Sequence, residues 1–294
     1  MIDLGSFVDA VGTDGAVTCV GGRTQWDVGG LPPGGVREVH APSGVHAFVP
    51  EEMTVECGAG TPIDVLQAAL AEHGQSVALP SWPGATVGGV LAVGRSGVTR
   101  LGHGPVRDTL LQARLVMADG AVVKAGGPTV KNVTGYDLCR LVVGSLGTLG
   151  LIADVVLRTR PLPSVSQWFR GEADPFELAA RLYRPTALLW DGATVWLCLE
   201  GHGVDVAAQA AISGLTPVDG PPSLPPHRES VAPGRLRELE GRFVAEVGVG
   251  VVHRALPVPP SPSDPAVVVL HKRLKLLFDP RGRLNPGRSP LAGS

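Results

Sequence analysis

The residues best placed to do chemistry in this sequence are glycines. Residues 21–24 read GGRT at the end of a β-branched run, residues 83–89 read PGATVGG, and residues 144–150 read GSLGTLG. A loop without Cβ atoms lets successive N–H groups converge on one concavity, where they can hold a pyrophosphate. Other glycine clusters fit known chemistry less well. Residues 57–63, CGAGTPI, lie between a strand pattern and a helix pattern, as a dinucleotide fingerprint should. Ile63 takes the place of the third glycine, however, and Pro62 removes a donor at the helix start. GSLGTLG leads into a strand instead of a helix, and no G-x-x-x-x-G-K-[ST] phosphate loop occurs. Residues 94–98, GRSGV, match only part of a nucleophile elbow.

Side-chain chemistry is sparse by comparison. The eight histidines contain no H-E-x-x-H pair, and His46, His73 and His253 read as isolated core or surface residues. Cys19, Cys57, Cys139 and Cys198 are far apart and lack zinc or redox spacing, so they read as small buried hydrophobes in a reducing compartment. A formal charge of −2 and the absence of basic patches interleaved with aromatics argue against nucleic acid as a partner. The first residues show neither a basic n-region nor a long apolar core, and no apolar run reaches the roughly 18 residues of a membrane span. The expectation is a cytoplasmic chain, peripheral to a membrane only through partners. Asn132 opens an N-V-T sequon that carries no weight without a secretory signal.

The elements that must position the glycine loops follow from pattern. A short helix at residues 6–12 precedes the strand AVTCV, which feeds GGRT. REVHAP and MTVECGAG read as strands. TPIDVLQAALAEHG reads as a helix with Thr61 as N-cap, Pro62 at the first position and Asp64 in a capping box. Residues 80–108 contain seven glycines and no strand-length apolar run, so they read as an extended loop. LLQARLVMADGAVVKAG reads as a strand pair turning at Asp119-Gly120. TLGLIADVVLRTRPLP is a long strand that ends at Pro161 and Pro163. A short helix is expected at residues 137–143. After residue 163 come a helix at FELAARLYRP, a hairpin from ALLWDG to TVWLCLEG, a helix at DVAAQAAISGL and two proline-rich links. The tail AVVVLHKRLKLLF reads as a basic amphipathic helix. Strands and helices mix without βαβ alternation, so the fold class is α+β.

Five segments, taken in order, resemble the FAD-binding domain of vanillyl-alcohol-oxidase, or PCMH-type, flavoproteins, and within that family the FAD-binding subunits of glycolate oxidases. They are VGGRTQWDVGG, TVECGAGTPIDVLQAALAEHGQ, PGATVGGVLAVGRSGVTRLGHGPVRDTLLQARLVMADG, VKNVTGYDLCRLVVGSLGTLGLIADVVLRTRPLP and LKLLFDPRGRLNPGR. The resemblance implies an FAD domain of two α/β subdomains over residues 1–163, a reduced α+β cap over 164–265, and a C-terminal segment, 266–294, returning to the FAD domain. It implies that Gly21, Gly22, Arg23 and Thr24 hold the pyrophosphate through their backbone. Gly84, Thr86, Val87, Gly88 and Gly89 would line the phosphate and flavin side, and Ser96, Gly97, Arg107 and Asp108 would continue that wall. Lys131, Gly135, Tyr136 and Asp137 would lie near the flavin. Gly147, Thr148, Gly150 and Ile152 would close over the adenine and ribose.

Departures from the family pattern carry their own expectations. Covalent relatives place a histidine in the first loop, where this chain has Arg23 and Thr24, so the FAD is expected to be non-covalent. His103 stands where relatives commonly have tyrosine. The middle region is shorter than the substrate caps of catalytic relatives and lacks their paired metal histidines, so no metal is expected. The resemblance implies oxidation of glycolate or another small 2-hydroxy acid within a complex, with a second flavoprotein subunit and an iron–sulfur subunit as partners. A non-catalytic flavin relay or scaffold is one alternative, and a stand-alone D-lactate-type dehydrogenase is another. No general base is assigned; Tyr136, Arg242 and His253 are the candidates for substrate-side roles.

Overall fold

The computed structural model describes residues 2–127, 137–259 and 263–292. The chain forms two compact units, each treated by itself below. The first comprises residues 1–95, 105–162 and 262–293; the second comprises 96–104 and 163–261.

In the first unit, helix α1 (Gly5–Val11) packs on a parallel pair formed by β1 (Val17–Cys19) and β2 (Arg37–Val39). Leu284 forms a parallel bridge with Val17, so the end of the chain extends this pair. Val17 N–H donates to the Arg283 carbonyl at 2.8 Å, and Asn285 N–H donates to the Val17 carbonyl at 2.8 Å. The second sheet contains β3 (Val45–Val49), β4 (Thr54–Gly58), β5 (Gln75–Val77), β6 (Leu110–Val116), β7 (Val122–Gly126) and β8 (Leu151–Pro161). Its order is β3-β4-β8-β6-β7, with β5 pairing the far end of β8. Every pairing in this sheet is antiparallel.

Strand β8 is central, and the first seven of its residues are buried. Ile152, Val155 and Leu157 face one core with α2 (Ile63–Ala71), α3 (Val87–Val93) and α5 (Leu138–Val142); Leu151 and Ala153 face the core beneath α1 and β1. A strand covered on both faces reads as a continuous apolar run, as β8 does. The exception is Asp154, 2% exposed, whose carboxylate accepts both Nε and Nη2 of Arg114 on β6. A charge buried this deeply persists only when it is paired and hydrogen-bonded.

Two local expectations are corrected. Residues 80–108 are not one loop: α3 and α4 (Arg100–His103) lie inside them, and a 3-10 turn covers Val106–Asp108. Two glycines weaken the helical propensity of VGGVLAV. Packing of Val87, Val90 and Leu91, the Thr86 hydroxyl cap on Gly89 N–H, and a left-handed Gly94 at the C-terminus outweigh that weakness. Thr61 does not cap α2 either. Its hydroxyl donates to the Gly58 carbonyl at 2.6 Å and accepts from Gly44 N–H at 2.9 Å. Pro62 holds the cap position without a side-chain bond.

The second unit is a seven-stranded sheet built from β9 (Val165–Glu172), β10 (Ala187–Trp190), β11 (Thr194–Gly201), β12 (Thr216–Val218), β13 (His227–Ser230), β14 (Phe243–Glu246) and β15 (Val251–Arg254). The order is β12-β9-β11-β10-β14-β15-β13, antiparallel throughout. Helices α6 (Pro175–Arg181) and α7 (Gly203–Ser213) contribute to the core on one face, with Phe169, Leu188, Leu197 and Leu199. The opposite face carries Leu189, Trp196 and Val244, packed with Val98, Trp168 and Leu224. The terminal helix α8 (Pro265–Phe278) belongs to the first unit and has no fully buried residue.

Candidate functional site

A cleft opens in the first unit, lined by residues 19–26, by Thr86, Gly88 and Gly89, by residues 146–147 and 151–152, and by Asn285 and Arg288. Backbone pairing brings its walls together. Ile63 N–H donates to the Ala85 carbonyl at 2.9 Å, Val87 N–H to Thr61 at 2.9 Å, and Gly88 N–H to Ala59 at 2.7 Å. The chain before α2 therefore runs antiparallel to PGATVGG and fixes it. Gly144 N–H and Leu146 N–H donate to Leu91 and Ala92 of α3, which docks the GSLGTLG loop on the same helix.

The glycines meet each other and leave no room for side chains. A Cβ on Gly22 would lie 1.6 Å from the Gly84 carbonyl oxygen, and one on Gly21 would lie 2.3 Å from the Thr86 hydroxyl. A Cβ on Gly88 would sit 2.8 Å from Ala59 Cβ, whereas one on Gly89 would meet only the Thr86 hydroxyl, at 3.0 Å. Gly88 therefore serves backbone packing, and Gly89 is the exposed position where added bulk tests the cleft.

Among the described residues, the backbone N–H groups of residues 21–27 have no hydrogen-bond acceptor. Arg23 sits at φ +55°, in the left-handed region, where a non-glycine residue needs a reason to be. Its guanidinium bonds Glu38 at 2.6 Å and lies 5.0 Å from the Trp26 ring centroid. Arg288 lies 4.4 Å from the same ring and donates to the Val28 and Trp26 carbonyls, both at 3.0 Å. A turn with free N–H groups, a left-handed residue and flanking guanidinium groups is a concave anion cradle. The structure thus fits the diphosphate of a dinucleotide cofactor.

Asn285 holds the cleft shut from behind. Its Oδ1 accepts the Thr18 hydroxyl at 2.6 Å and Cys19 N–H at 3.1 Å, and its Nδ2 donates to the Leu146 carbonyl at 2.7 Å. It joins β1, the GSLGTLG loop and the C-terminal segment, at φ +44° and 5% exposed. Asp279 anchors that segment. Burial opposes its charge, but hydrogen bonds from Lys275 and from the N–H groups of Leu284 and Arg283 prevail and hold it below the usual carboxylate range. Arg283, 4% exposed, donates to the carbonyls of Val11, Gly12, Asp14, Gly15 and Ala118. Cys19 lines the cleft, and burial pushes its thiol up to about 11, so it is neutral near pH 7.

The anticipated positions divide as follows. Gly21, Gly22, Arg23, Thr24, Thr86, Gly88, Gly89, Gly147 and Ile152 line the cleft. Gly84 supports it through the contact with Gly22, and Val87 is buried in the core behind it. Thr148 donates to the Ser145 carbonyl, and Gly150 packs near Met117, so both shape the loop. Ser96 and Gly97 belong to the second unit. Arg107 is exposed, and Asp108 pairs with Arg140 at 3.2 Å; Asp137 caps α5 through Arg140 N–H at 3.1 Å. None of these five lines the cleft. Lys131, Gly135 and Tyr136 lie outside the described residues. His103 bonds Glu200 at 2.6 Å within the second unit. Arg242 is exposed, and His253 is buried on β15.

Sequence reasoning missed Cys19, Trp26, Asn285 and Arg288. The segment RLNPGR belongs to the pattern, but no residue in it stands out by type. Its Asn followed by Pro-Gly is a turn signal that could have marked a positive-φ position.

Residues 8–126 match a family model described as an FAD binding domain. The chain is 33% identical over 199 residues to glycolate oxidase subunit GlcE of Escherichia coli (strain K12), a stretch covering 64% of this chain and 56% of that protein. It is 43% identical over 108 residues to the D-lactate dehydrogenase of Archaeoglobus fulgidus, covering 36% of this chain and 24% of that one. Glycolate oxidase subunit GlcD of Bacillus subtilis (strain 168) is 33% identical over 96 residues, 33% of this chain and 20% of that protein. The chain thus spans little more than half of the first relative and about a quarter or less of the other two. Among solved structures, an alkyldihydroxyacetonephosphate synthase matches with TM-score 0.69 and 15% identity over 93% of this chain and 73% of that one. At that identity the match speaks for the fold alone, an α+β fold of the PCMH type.

Proposed function

From the match of residues 8–126 to an FAD binding domain, we propose that this protein is the FAD-carrying subunit of a 2-hydroxy-acid oxidoreductase of the glycolate oxidase type. The observation that carries the reading is the cleft of residues 21–27, with its acceptor-free N–H groups and no space for side chains on Gly21 and Gly22. Bound FAD would accept a hydride from the substrate carbon and pass electrons onward, chemistry that belongs to the cofactor. The chain's own residues bind and orient it: residues 21–24 and 86–89 at the diphosphate, Gly147 and Ile152 along the opposite wall, Asn285 and Arg288 behind. Among the described residues no histidine lines the cleft, and the one cysteine that does, Cys19, is a neutral thiol, which supports non-covalent FAD.

Membership in a complex, with a second flavoprotein and an iron–sulfur subunit, rests on the likeness to two proteins named as glycolate oxidase subunits. The exposed aliphatic side chains of α8 also support it: Val267, Val269, Leu270, Leu276 and Leu277 are between 41% and 75% exposed. Contiguous exposed apolar surface marks interaction sites. A relay subunit without substrate chemistry is the alternative this surface also accommodates.

Purified chain with FAD decides between them. The expected result is a yellow protein that releases its FAD on acid or heat precipitation and whose flavin absorbance bleaches anaerobically with glycolate. Flavin retained but unbleached by glycolate or D-lactate would point to the relay. Failure to retain FAD at all would remove the reading.

A further inference from the structure

Helix α8 is apolar on two faces. Val268, His271, Leu274, Lys275 and Phe278 recur at helical spacing, are half-buried and form the face turned to the rest of the first unit. Lys275 fixes that face, donating to the Thr148 carbonyl at 2.7 Å, the Leu284 carbonyl at 3.0 Å and Asp279 at 2.6 Å. Ala266, Val269, Leu270, Arg273, Leu276 and Leu277 repeat the same spacing on the outward face, and all of them are exposed. An amphipathic helix of a globular protein puts polar residues on its outer face, and one that is apolar all round is buried. α8 thus carries a second stripe that the described residues leave uncovered.

Arg273 stands in the middle of this stripe. Val269 and Leu270 lie four and three residues before it, and Leu276 and Leu277 three and four after, the separations at which helix side chains are neighbours. Among the described residues neither Arg273 nor Lys272 beside it has an ion-pair partner, and α8 contains no Asp or Glu. A guanidinium enclosed by apolar surface is tolerated only when it is paired. Whatever covers the stripe must therefore bring a fixed anion to its centre. That disfavours a second copy offering the same helix, because a two-fold pairing centred on the stripe sets Arg273 against itself. It disfavours lipid as well. A helix lying in a bilayer surface carries its cations on the face opposite the apolar one, and in α8 that opposite face is packed on protein.

We propose that the outward stripe of α8 docks in an apolar groove of the second flavoprotein subunit, and that this groove presents an Asp or Glu carboxylate to Arg273. Val269, Leu270, Leu276 and Leu277 are the anchors, at the spacing of a helix seated in a groove. Arg273 sets register and partner choice, as a single polar residue does within an apolar helical seam. That such a partner exists rests on the complex reading above, whereas the docking place and the chemistry of the groove rest on the stripe and its guanidinium.

Calorimetric titration of the full, FAD-loaded chain with a purified flavoprotein subunit of the same organism, similar to glycolate oxidase subunit GlcD, tests this. Wild type is expected to form a saturable complex. Leu276→Gln combined with Leu277→Gln should weaken it about thirtyfold or more, the loss typical of buried anchors. Arg273→Leu makes the stripe more apolar, yet it should weaken binding about tenfold or more because the facing carboxylate loses its partner, and Arg273→Lys should lose less. Since these side chains are exposed, every variant should keep its FAD and its circular dichroism. If the leucine variant fails to fold, Arg273→Leu decides alone. Arg273→Leu that binds as tightly as wild type, or tighter, would overturn the proposal. A wild-type complex that neither variant weakens would overturn it too, and would leave the complex reading standing. No complex with the wild-type chain would remove the complex reading and the proposal with it. In flotation with vesicles of equal parts phosphatidylcholine and phosphatidylglycerol, and in sedimentation of the chain alone, wild type should stay unbound and monomeric. Vesicle binding or a dimer that the leucine variant abolishes while subunit binding persists would give the stripe to lipid or to a second copy, and overturn the proposal.

Discussion

The cleft of the first unit and the charged sheet face of the second are built in opposite ways. The cleft is made of backbone: unpaired N–H groups on a turn, with glycines that touch neighbouring chain so closely that no side chain fits. The sheet face is made of side chains, with Arg228, Glu246 and His253 projecting from three adjacent strands. A diphosphate presents the same oxygens in every dinucleotide, so a fixed loop of N–H groups suffices for it. Glycine substitutions should therefore act on the cleft and the fold together, whereas substitutions of exposed side chains in the second unit should leave the cleft unchanged.

The largest effect that would sharpen this contrast is expected from Gly22→Val. Its Cβ would fall 1.6 Å from the Gly84 carbonyl oxygen, a backbone atom that cannot swing away. Overpacking of this kind costs about 1–3 kcal/mol or more, so thermal melts should fall by several degrees and the purified protein should be colourless. Asn285→Leu comes next. It leaves the Thr18 hydroxyl, Cys19 N–H and the Leu146 carbonyl without their partner, a loss of about 2–4 kcal/mol with release of FAD, read by denaturant titration and flavin fluorescence. A variant that keeps its flavin would break the claim that the C-terminal segment closes the cleft.

Asp279→Asn should have a smaller effect that depends on pH. Because the folded carboxyl is held below its ordinary value, its stabilisation is complete above the ordinary carboxylate range, near pH 4. It is lost as pH falls through the folded value. Melting temperature measured from pH 7 downward should therefore drop less steeply in the variant, which begins about 1–3 kcal/mol less stable at pH 7. Gly89→Ala should change stability by under about 1 kcal/mol, since its Cβ meets only the Thr86 hydroxyl at 3.0 Å, yet weaken FAD retention. Gly88→Ala, pressed between Ala59 Cβ and its carbonyl, should lose both. Equal behaviour of the two would mean that position 89 does not face the cofactor. The smallest effect is expected from Arg237→Ala in the second unit, an exposed side chain over Phe176 and paired with Asp174 at 3.0 Å. Stability should shift by about 1 kcal/mol at most and FAD titration should be unchanged.

Much of the fold is legible in the sequence because the signals are local. β8 shows itself as an eleven-residue, mostly apolar run, α2 by its periodicity, the β6–β7 turn by Asp119-Gly120, and the β10–β11 hairpin by its own turn. Helix α3 does not, because two glycines mask a helix whose stability comes from burying Val87, Val90 and Leu91. Thr61 carries every local mark of a cap but is claimed by Gly58 and Gly44, since the chain ahead of α2 pairs with residues 85–87.

By itself the sequence determined the α+β class, the glycine loops able to approach a diphosphate, and the resemblance to FAD-binding proteins, because composition, turn chemistry and order along the chain are local properties. Tertiary structure alone decided which loop residues face the cleft. Ser96, Gly97, Arg107, Asp108 and Asp137 do not line it, and Asn285 and Arg288 arrive from far along the chain to do so. It alone, too, brought Glu246 within reach of His253 and left one of its oxygens without a partner. Those facts depend on strand register and on long-range hydrogen bonds, which no spacing within a short window encodes.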